Sequence, residues 1–187
     1  MVIPPLTDNV KKRGFLPFLL GVLLGMALVC AAVYVYFASG CAPVATADPE
    51  LPFESLLAGK ALHARMLREV PRSASPGGTP DDLLAGARVY LQQCAVCHGR
   101  PAGPVSPIGS GMYPPPPQFF HNQGTAKRSA AEDYWTISGG IRFTGMPRFR
   151  DSLSPAEIRQ ISLLLAQTSS LPAVVYKELT SSSGDSH

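Results

Sequence analysis

Charge is scarce in this chain. Of its 187 residues only 16% are charged, and there is a single tryptophan. The formal net charge is +3, and no basic run alternates with aromatic residues, so the electrostatic footprint of a nucleic-acid binder is missing. Lys11, Lys12 and Arg13 precede a long apolar segment, which leaves the chain from Cys41 onward close to neutral. No apolar–polar alternation runs long enough for a strand, and there is no internal repeat. Cysteine is limited to four residues, of which only Cys94 and Cys97 lie close together. Proline and glycine, by contrast, are plentiful at 19 and 17, which implies many loops. With 45% hydrophobic residues, the length suits one compact all-α domain with appendages.

From Gly14 to Ala47 no side chain is charged. Residues 15–38, "FLPFLLGVLLGMALVCAAVYVYFA", are nearly all apolar. At about 1.5 Å per residue they span roughly 36 Å, enough to cross a bilayer with some tilt. They are also longer than the apolar core of a cleaved signal peptide. The pattern predicts a transmembrane anchor over 15–38 with a cytoplasmic N-terminus, 1–14. The basic cluster stays inside and the next basic residue is Lys60, so everything after the span lies on the periplasmic or outer face of the inner membrane. A second possibility is written in "FASGC" (37–41), which resembles a lipoprotein cleavage site with Ala38 where leucine is commoner; Cys41 would then carry the lipid. Either route makes the lipid bilayer a partner. Cys30, inside the span, reads as lipid-facing filler.

Residues 39–79 read as a linker containing a helix over 52–69, marked by Phe53, Leu56, Leu57, Met66 and Leu67. The sequence leaves open whether that helix packs on the main domain or docks a partner. The compact domain is expected over 80–168. Thr79 can cap its first helix, Pro80 suits the first helical position, and Asp81 and Asp82 favour the positive end of the dipole. Leu83, Ala87, Tyr90, Leu91 and Cys94 then share one stripe. A loop rich in Gly and Pro, 99–120, follows. Ser129 and Glu132 form a capping box for a helix with Tyr134, Trp135 and Ile137, which Gly139 and Gly140 stop. Ser154, Pro155 and Glu157 open a last helix whose apolar face carries Ile158, Ile161, Leu164 and Leu165. Residues 169–187 are expected to be a flexible tail.

"LQQCAVCHGRPAG" (91–103) places a histidine directly after the second of two cysteines three apart. Structural zinc needs four ligands, and no second pair accompanies Cys94, Cys97 and His98. A thioredoxin-like site expects its CxxC after a strand and at a helix start, whereas here the motif ends a helix. Haem fits: two thiols at i and i+3 leave the same side of a helical turn, and His98 falls next, able to coordinate iron. The C-x-x-C-H signature is far more specific than CxxC alone. Among candidates for a sixth ligand, Met146 stands between Gly145 and Pro147, 48 positions beyond His98. Met112 is the alternative, only 14 positions past His98. Met1, Met26 and Met66 lie outside the domain. His63 reads as a surface residue, His121 as part of a solvent-facing turn, and His187 as tail.

"GARVYLQQCAVCHG" (86–99) and "YWTISGGIRFTGMP" (134–147) resemble the two halves of a class I monohaem cytochrome c. The resemblance covers about residues 80–168. It implies one covalent haem c, held through Cys94 and Cys97, with His98 as proximal and Met146 as distal iron ligand. It also implies that the first and last helices cross near Gly86 and Tyr90 against Leu163–Leu165. A carbonyl from one of Pro114–Pro117 would steady His98, and Trp135, Ile141 and Phe143 would lie against the haem. Iron held by histidine and thioether has no vacant position, so the expected role is electron transfer rather than catalysis. The function expected is a membrane-tethered carrier of single electrons between redox proteins: a quinol-oxidising complex, an oxidase, a dehydrogenase or another cytochrome. The alternatives are a fixed haem subunit of a larger oxidoreductase and, further off, a haem sensor or peroxidase. Lys127, Arg128, Arg142, Arg148 and Arg150, around Met146, are candidates for steering an acidic partner.

Overall fold

The computed structural model describes residues 8–71, 77–121 and 128–181, with side chains from Phe15 onward. The described residues are helices and loops, with no strand among them. They divide into two compact units, 1–49 and 50–187. The first contains α1 (Asp8–Ala38), whose stretch Phe15–Ala38 is long and apolar enough to cross a membrane.

The second unit contains α2 (Glu54–Glu69), α3 (Pro80–Gln93), α4 (Ala95–His98), α5 (Pro107–Ser110), α6 (Ala130–Gly139), α7 (Pro155–Leu165) and α8 (Ala173–Thr180). Three of these helices start in the same way. The Thr79 hydroxyl accepts from the Asp82 N–H, Ser129 from Glu132 and Ser154 from Glu157, while each carboxylate accepts the N–H of its cap residue. Each box satisfies donors that the first turn of a helix cannot pair internally.

The core is built on α3 and α7. Leu83, Ala87 and Tyr90 from α3 join Ile158, Ile161 and Leu164 from α7 in one buried cluster, with Ile137 from α6. The two helices meet at Gly86, where a Cβ would lie 2.4 Å from the Gln160 carbonyl oxygen and 3.1 Å from the Ile161 nitrogen. The crossing therefore falls on Gln160–Ile161, about one turn before the expected Leu163–Leu165. The backbone can approach only where a side chain is absent on the facing helix, and Gly86 supplies that place. Asp82 and Arg159, paired at 2.8 Å, tie the same helices at their starts.

The expectation of a flexible tail over 169–187 does not hold for its first part. Ala173–Thr180 is helical and buries Val175 and Leu179 completely within the core cluster. Glu178 pairs with Arg88 of α3 at 3.2 Å. Two apolar positions four apart were enough to seat one short helix against α3, a signal too brief to separate from background in the sequence. Residues 182–187, including His187, lie outside the described residues.

One buried charge sits on α6. Asp133 is 5% exposed, and its Oδ1 lies 3.2 Å from the Nε of Arg128. The Arg128 Nε is not aligned to donate there, so the pair is Coulombic; its Nη2 donates to Thr136 and to the Glu132 carbonyl. Burial pushes the Asp133 carboxyl up to about 6, with Arg128 pulling in the opposite direction. The folded protein thus keeps this proton to a higher pH than the unfolded chain, whose value is 3.8. This contribution to stability falls as pH rises from about 4 to about 6 and is level above that.

Packing and the buried charge each have a measurable consequence. Gly86→Ala should lower the unfolding free energy by about 1–3 kcal/mol, and Leu179→Ala by about 2–5 kcal/mol, a loss that an unpacked tail would not produce; urea titration of the full chain in detergent reads both. The difference in stability between wild type and Asp133→Asn should change by up to about 3 kcal/mol across pH about 4 to 6, measured by urea midpoints, and be constant above it.

Candidate haem site

The Cys94–His98 segment is a single helical turn. Cys94 ends α3 and opens α4, and its carbonyl accepts from the N–H groups of Cys97 at 3.1 Å and His98 at 2.9 Å. Both cysteines are free thiols, each partly buried. Burial, with Cys97 adding to it, pushes the Cys94 thiol up to about 12. Among the described residues no three His, Cys, Asp or Glu side chains converge to hold a metal ion.

The histidine is fixed from one side. His98 is 8% exposed, and its Nδ1 lies 2.8 Å from the Pro117 carbonyl oxygen. A carbonyl only accepts, so Nδ1 carries the hydrogen and Nε2 keeps its lone pair. Burial lowers the pKa of the imidazole below its ordinary value, and the Pro117 bond only partly offsets this, so the ring is neutral near pH 7. Phe119 stacks on the ring with centroids 4.7 Å apart and planes at 23°. The four consecutive prolines left the carbonyl ambiguous in the sequence; the fold selects Pro117.

Gln118 was not singled out by sequence reasoning, yet it holds this turn in place. Its side-chain amide donates to the carbonyls of Cys97 at 2.9 Å and Pro116 at 3.2 Å, and its Oε1 accepts from the Ser106 N–H at 3.4 Å. Ser106 in turn donates to the Val96 carbonyl and accepts from the Gly109 N–H. Two glycines make room. A Cβ on Gly99, at φ 74°, would lie 2.6 Å from Gln118 Oε1, and one on Gly109 would lie 2.4 Å from the Cys97 oxygen. Behind the turn, the fully buried Tyr90 donates to the Gly99 carbonyl at 2.8 Å and meets Phe120 edge-on. A glutamine in a proline-rich loop has no sequence signature, and only its partners give it away.

Met146 packs against the core cluster from a tightly folded loop. Its N–H donates to Thr144 Oγ1, and its carbonyl accepts from the Ile141 N–H. Gly140, at φ 65°, lies where a Cβ would come within 2.9 Å of the Met146, Pro147 and Arg148 backbone. Met112 reaches the same loop: its Cε occupies the space a Cβ on Gly145 would need. Met112 therefore sits beside the residue that precedes Met146, and of the two only Met146 packs against the core cluster. The donors present are a neutral imidazole, two thiols and a thioether, which is the set a covalently held haem requires.

The other residues named in the sequence have partners of their own. Trp135 is partly buried, and its indole N–H is committed to Glu69 at 3.0 Å. Phe143 is 92% exposed, with Arg142 over its ring. His121 is half-buried rather than solvent-facing, its Nε2 shielded from water. Of the basic residues around Met146, Arg128 turns inward to Asp133 and Arg148 pairs with Asp151 at 2.6 Å, while Arg142 and Arg150 are exposed. Lys127 lies outside the described residues.

Residues 81–163 match the family described as cytochrome c oxidase, cbb3-type, subunit III. This stretch is a cytochrome c domain. Over 84 residues, 45% of the chain, it is 34% identical to the quinohemoprotein alcohol dehydrogenase ADH IIB of Pseudomonas putida. Over 89 residues, 48% of the chain, it is 29% identical to the 1-butanol dehydrogenase (cytochrome c) of Thauera butanivorans. The chain spans only 11% and 12% of the length of these relatives. No solved structure matches. Cytochrome c domains of this family bind haem c covalently.

The role of Gln118 can be tested directly. Gln118→Leu leaves the Cys97 and Pro116 carbonyls without their shared donor and should cost about 1–3 kcal/mol. Urea unfolding followed at the haem band should show the loss.

Proposed function

We propose that the cytochrome c domain carries single electrons between redox proteins while the chain is tethered to a membrane by 15–38. The bond from His98 Nδ1 to the Pro117 carbonyl carries the reading, because it presents Nε2 as an unprotonated donor beside two unpaired thiols. In this reading Cys94 and Cys97 form the thioether attachments, His98 is the proximal iron ligand and Met146 the distal one. When bound, haem c supplies one-electron exchange at its iron.

The chain's own residues do the rest. Pro117 holds the proton on Nδ1 and so fixes both tautomer and ring orientation. Gln118 locks the turn that carries the attachment points. Phe119, packed on His98, shields one face of the imidazole from water. Met146 would supply a thioether ligand to the iron beside His98, and an iron held by both would have no place for a substrate, which supports a carrier rather than an enzyme. The relatives are named as dehydrogenases, and this supports a redox partner of the dehydrogenase kind. An oxidase is the corresponding acceptor, by analogy with the family description.

A second reading has its own support. The matched family is named as an oxidase subunit, and the named relatives are much longer than this chain. A fixed haem subunit of a larger membrane complex fits that pattern. Solubilising the membrane and isolating the chain separates the two: a monomer that exchanges electrons reversibly supports the shuttle, and a stable complex that retains the chain supports the subunit.

Covalent attachment and ligation predict their own outcomes. Haem should stay on the chain through a denaturing gel and acid-acetone extraction, and Cys94→Ser with Cys97→Ser should abolish it. The ferric protein should show the weak near-red sulfur-to-iron charge-transfer band. Met146→Ala should remove that band and open the iron to exogenous imidazole; a surviving band would transfer the role to Met112.

A further inference from the structure

α2 meets the cytochrome c domain along one side only. Met66 is its one buried residue, and Glu69 accepts from the Trp135 indole. The opposite side is apolar and open to solvent. Leu56, Leu57 and Leu67 are 50%, 63% and 55% exposed, and Phe53, at the helix start, is 70% exposed. At 100° per residue these four positions and Ala64 fall on one stripe, with Lys60 in its middle. Arg65 and Arg68 are exposed beside it. Both acids of the helix are engaged with protein: Glu54 accepts from the Leu51 N–H, and Glu69 pairs with Arg65 as well as Trp135.

Soluble monomers rarely leave such a stripe in water. An apolar stripe set among cations is the pattern of a helix lying in a membrane interface, where lysine can snorkel its charge to the headgroups. The sequence says which surface is at hand. Residues 39–53 separate the apolar span from α2, and fifteen residues reach at most about 50 Å even when fully extended. A bilayer crossed by 15–38 is therefore within reach of α2 in every copy of the chain. With Lys60, Arg65 and Arg68 against Glu54 and Glu69, α2 carries one net positive charge, which suits anionic headgroups.

We propose that the outward face of α2, formed by Phe53, Leu56, Leu57, Lys60 and Leu67, lies in the headgroup boundary of the anionic bilayer that 15–38 crosses. The inference rests on the reading of 15–38 as a membrane span. Tyr113 donates to Glu50 at 2.8 Å, and Trp135 to Glu69 at 3.0 Å, so the segment before the helix and the helix's last residue are both tied to the domain that holds the Cys94–His98 turn. A helix held on lipid would give that domain a set attitude to the membrane, in place of free rotation on a linker.

The test uses the full, haem-loaded chain in lipid nanodiscs of phosphatidylglycerol with phosphatidylcholine. A nitroxide is placed on Leu57→Cys, or on Ala58→Cys at the other side of the helix, each with Cys30→Ser and Cys41→Ser. A third sample carries the nitroxide on native Cys30, with Cys41→Ser. Relaxation by oxygen, which concentrates in lipid, is compared with relaxation by a water-soluble nickel chelate. An unchanged haem spectrum confirms that each variant is folded. The oxygen-to-nickel ratio should be several-fold higher at position 57 than at 58, and the difference should shrink in pure phosphatidylcholine or with Lys60→Glu and Arg68→Glu. Equal ratios at 57 and 58 with a lipid-exposed Cys30 would overturn the proposal and leave the span standing. A water-exposed Cys30 would remove the span reading and this proposal with it. Burial at 57 that appears only when a co-purifying protein is retained would assign the face to a protein partner and overturn the lipid contact.

Discussion

The hydrogen bond from His98 Nδ1 to the Pro117 carbonyl decides what the buried imidazole can do, and much of the surrounding structure exists to hold its two ends in place. An imidazole free to rotate or change tautomer could present either nitrogen. Tied to a carbonyl, it presents only Nε2. The acceptor end is held because Gln118, the next residue, donates to the carbonyl of Cys97 on the helical turn and to that of Pro116 on its own loop. The donor end is held because the turn hangs from α3, whose Tyr90 is locked at the centre of the core. Loosening either end would free the same ring.

This arrangement depends on close backbone approach. Gly86 lets α3 and α7 touch, Gly99 and Gly109 make space for Gln118, and Gly140 folds the Met146 loop onto itself. Each position is crowded enough that a methyl group would strike backbone or the Gln118 amide. The same economy of space leaves Asp133 buried beside Arg128, where desolvation opposes its charge. Helices α2 and α8 lie around this frame, α8 adding apolar area to α3 and α2 leaving much of its own apolar area outside.

The charge pattern near Met146 reads differently in three dimensions. A run of basic residues in sequence suggests a steering surface, yet Arg128 serves the core and Arg148 is neutralised by Asp151. Arg142 and Arg150 remain exposed, Arg142 over the exposed ring of Phe143. Sequence proximity counts charges without saying which of them face solvent.

Much of the fold was legible because it is written in local signals. The capping boxes at Thr79, Ser129 and Ser154 start helices by hydrogen bonds three residues apart, and the stripe of Leu83, Ala87 and Tyr90 needs only helical periodicity. The Cys94, Cys97 and His98 motif is equally local, since one helical turn sets its spacing. What the tertiary structure alone decided are contacts between segments distant in the chain: Pro117 rather than its three neighbours as the acceptor for His98, Gln118 as the clamp, Gln160–Ile161 as the crossing point and α8 as part of the core. Local hydrogen bonds and periodicity are properties of a short stretch of residues. Which carbonyl meets a given imidazole depends on how two loops close over a shared core, and that is settled only when the whole domain packs.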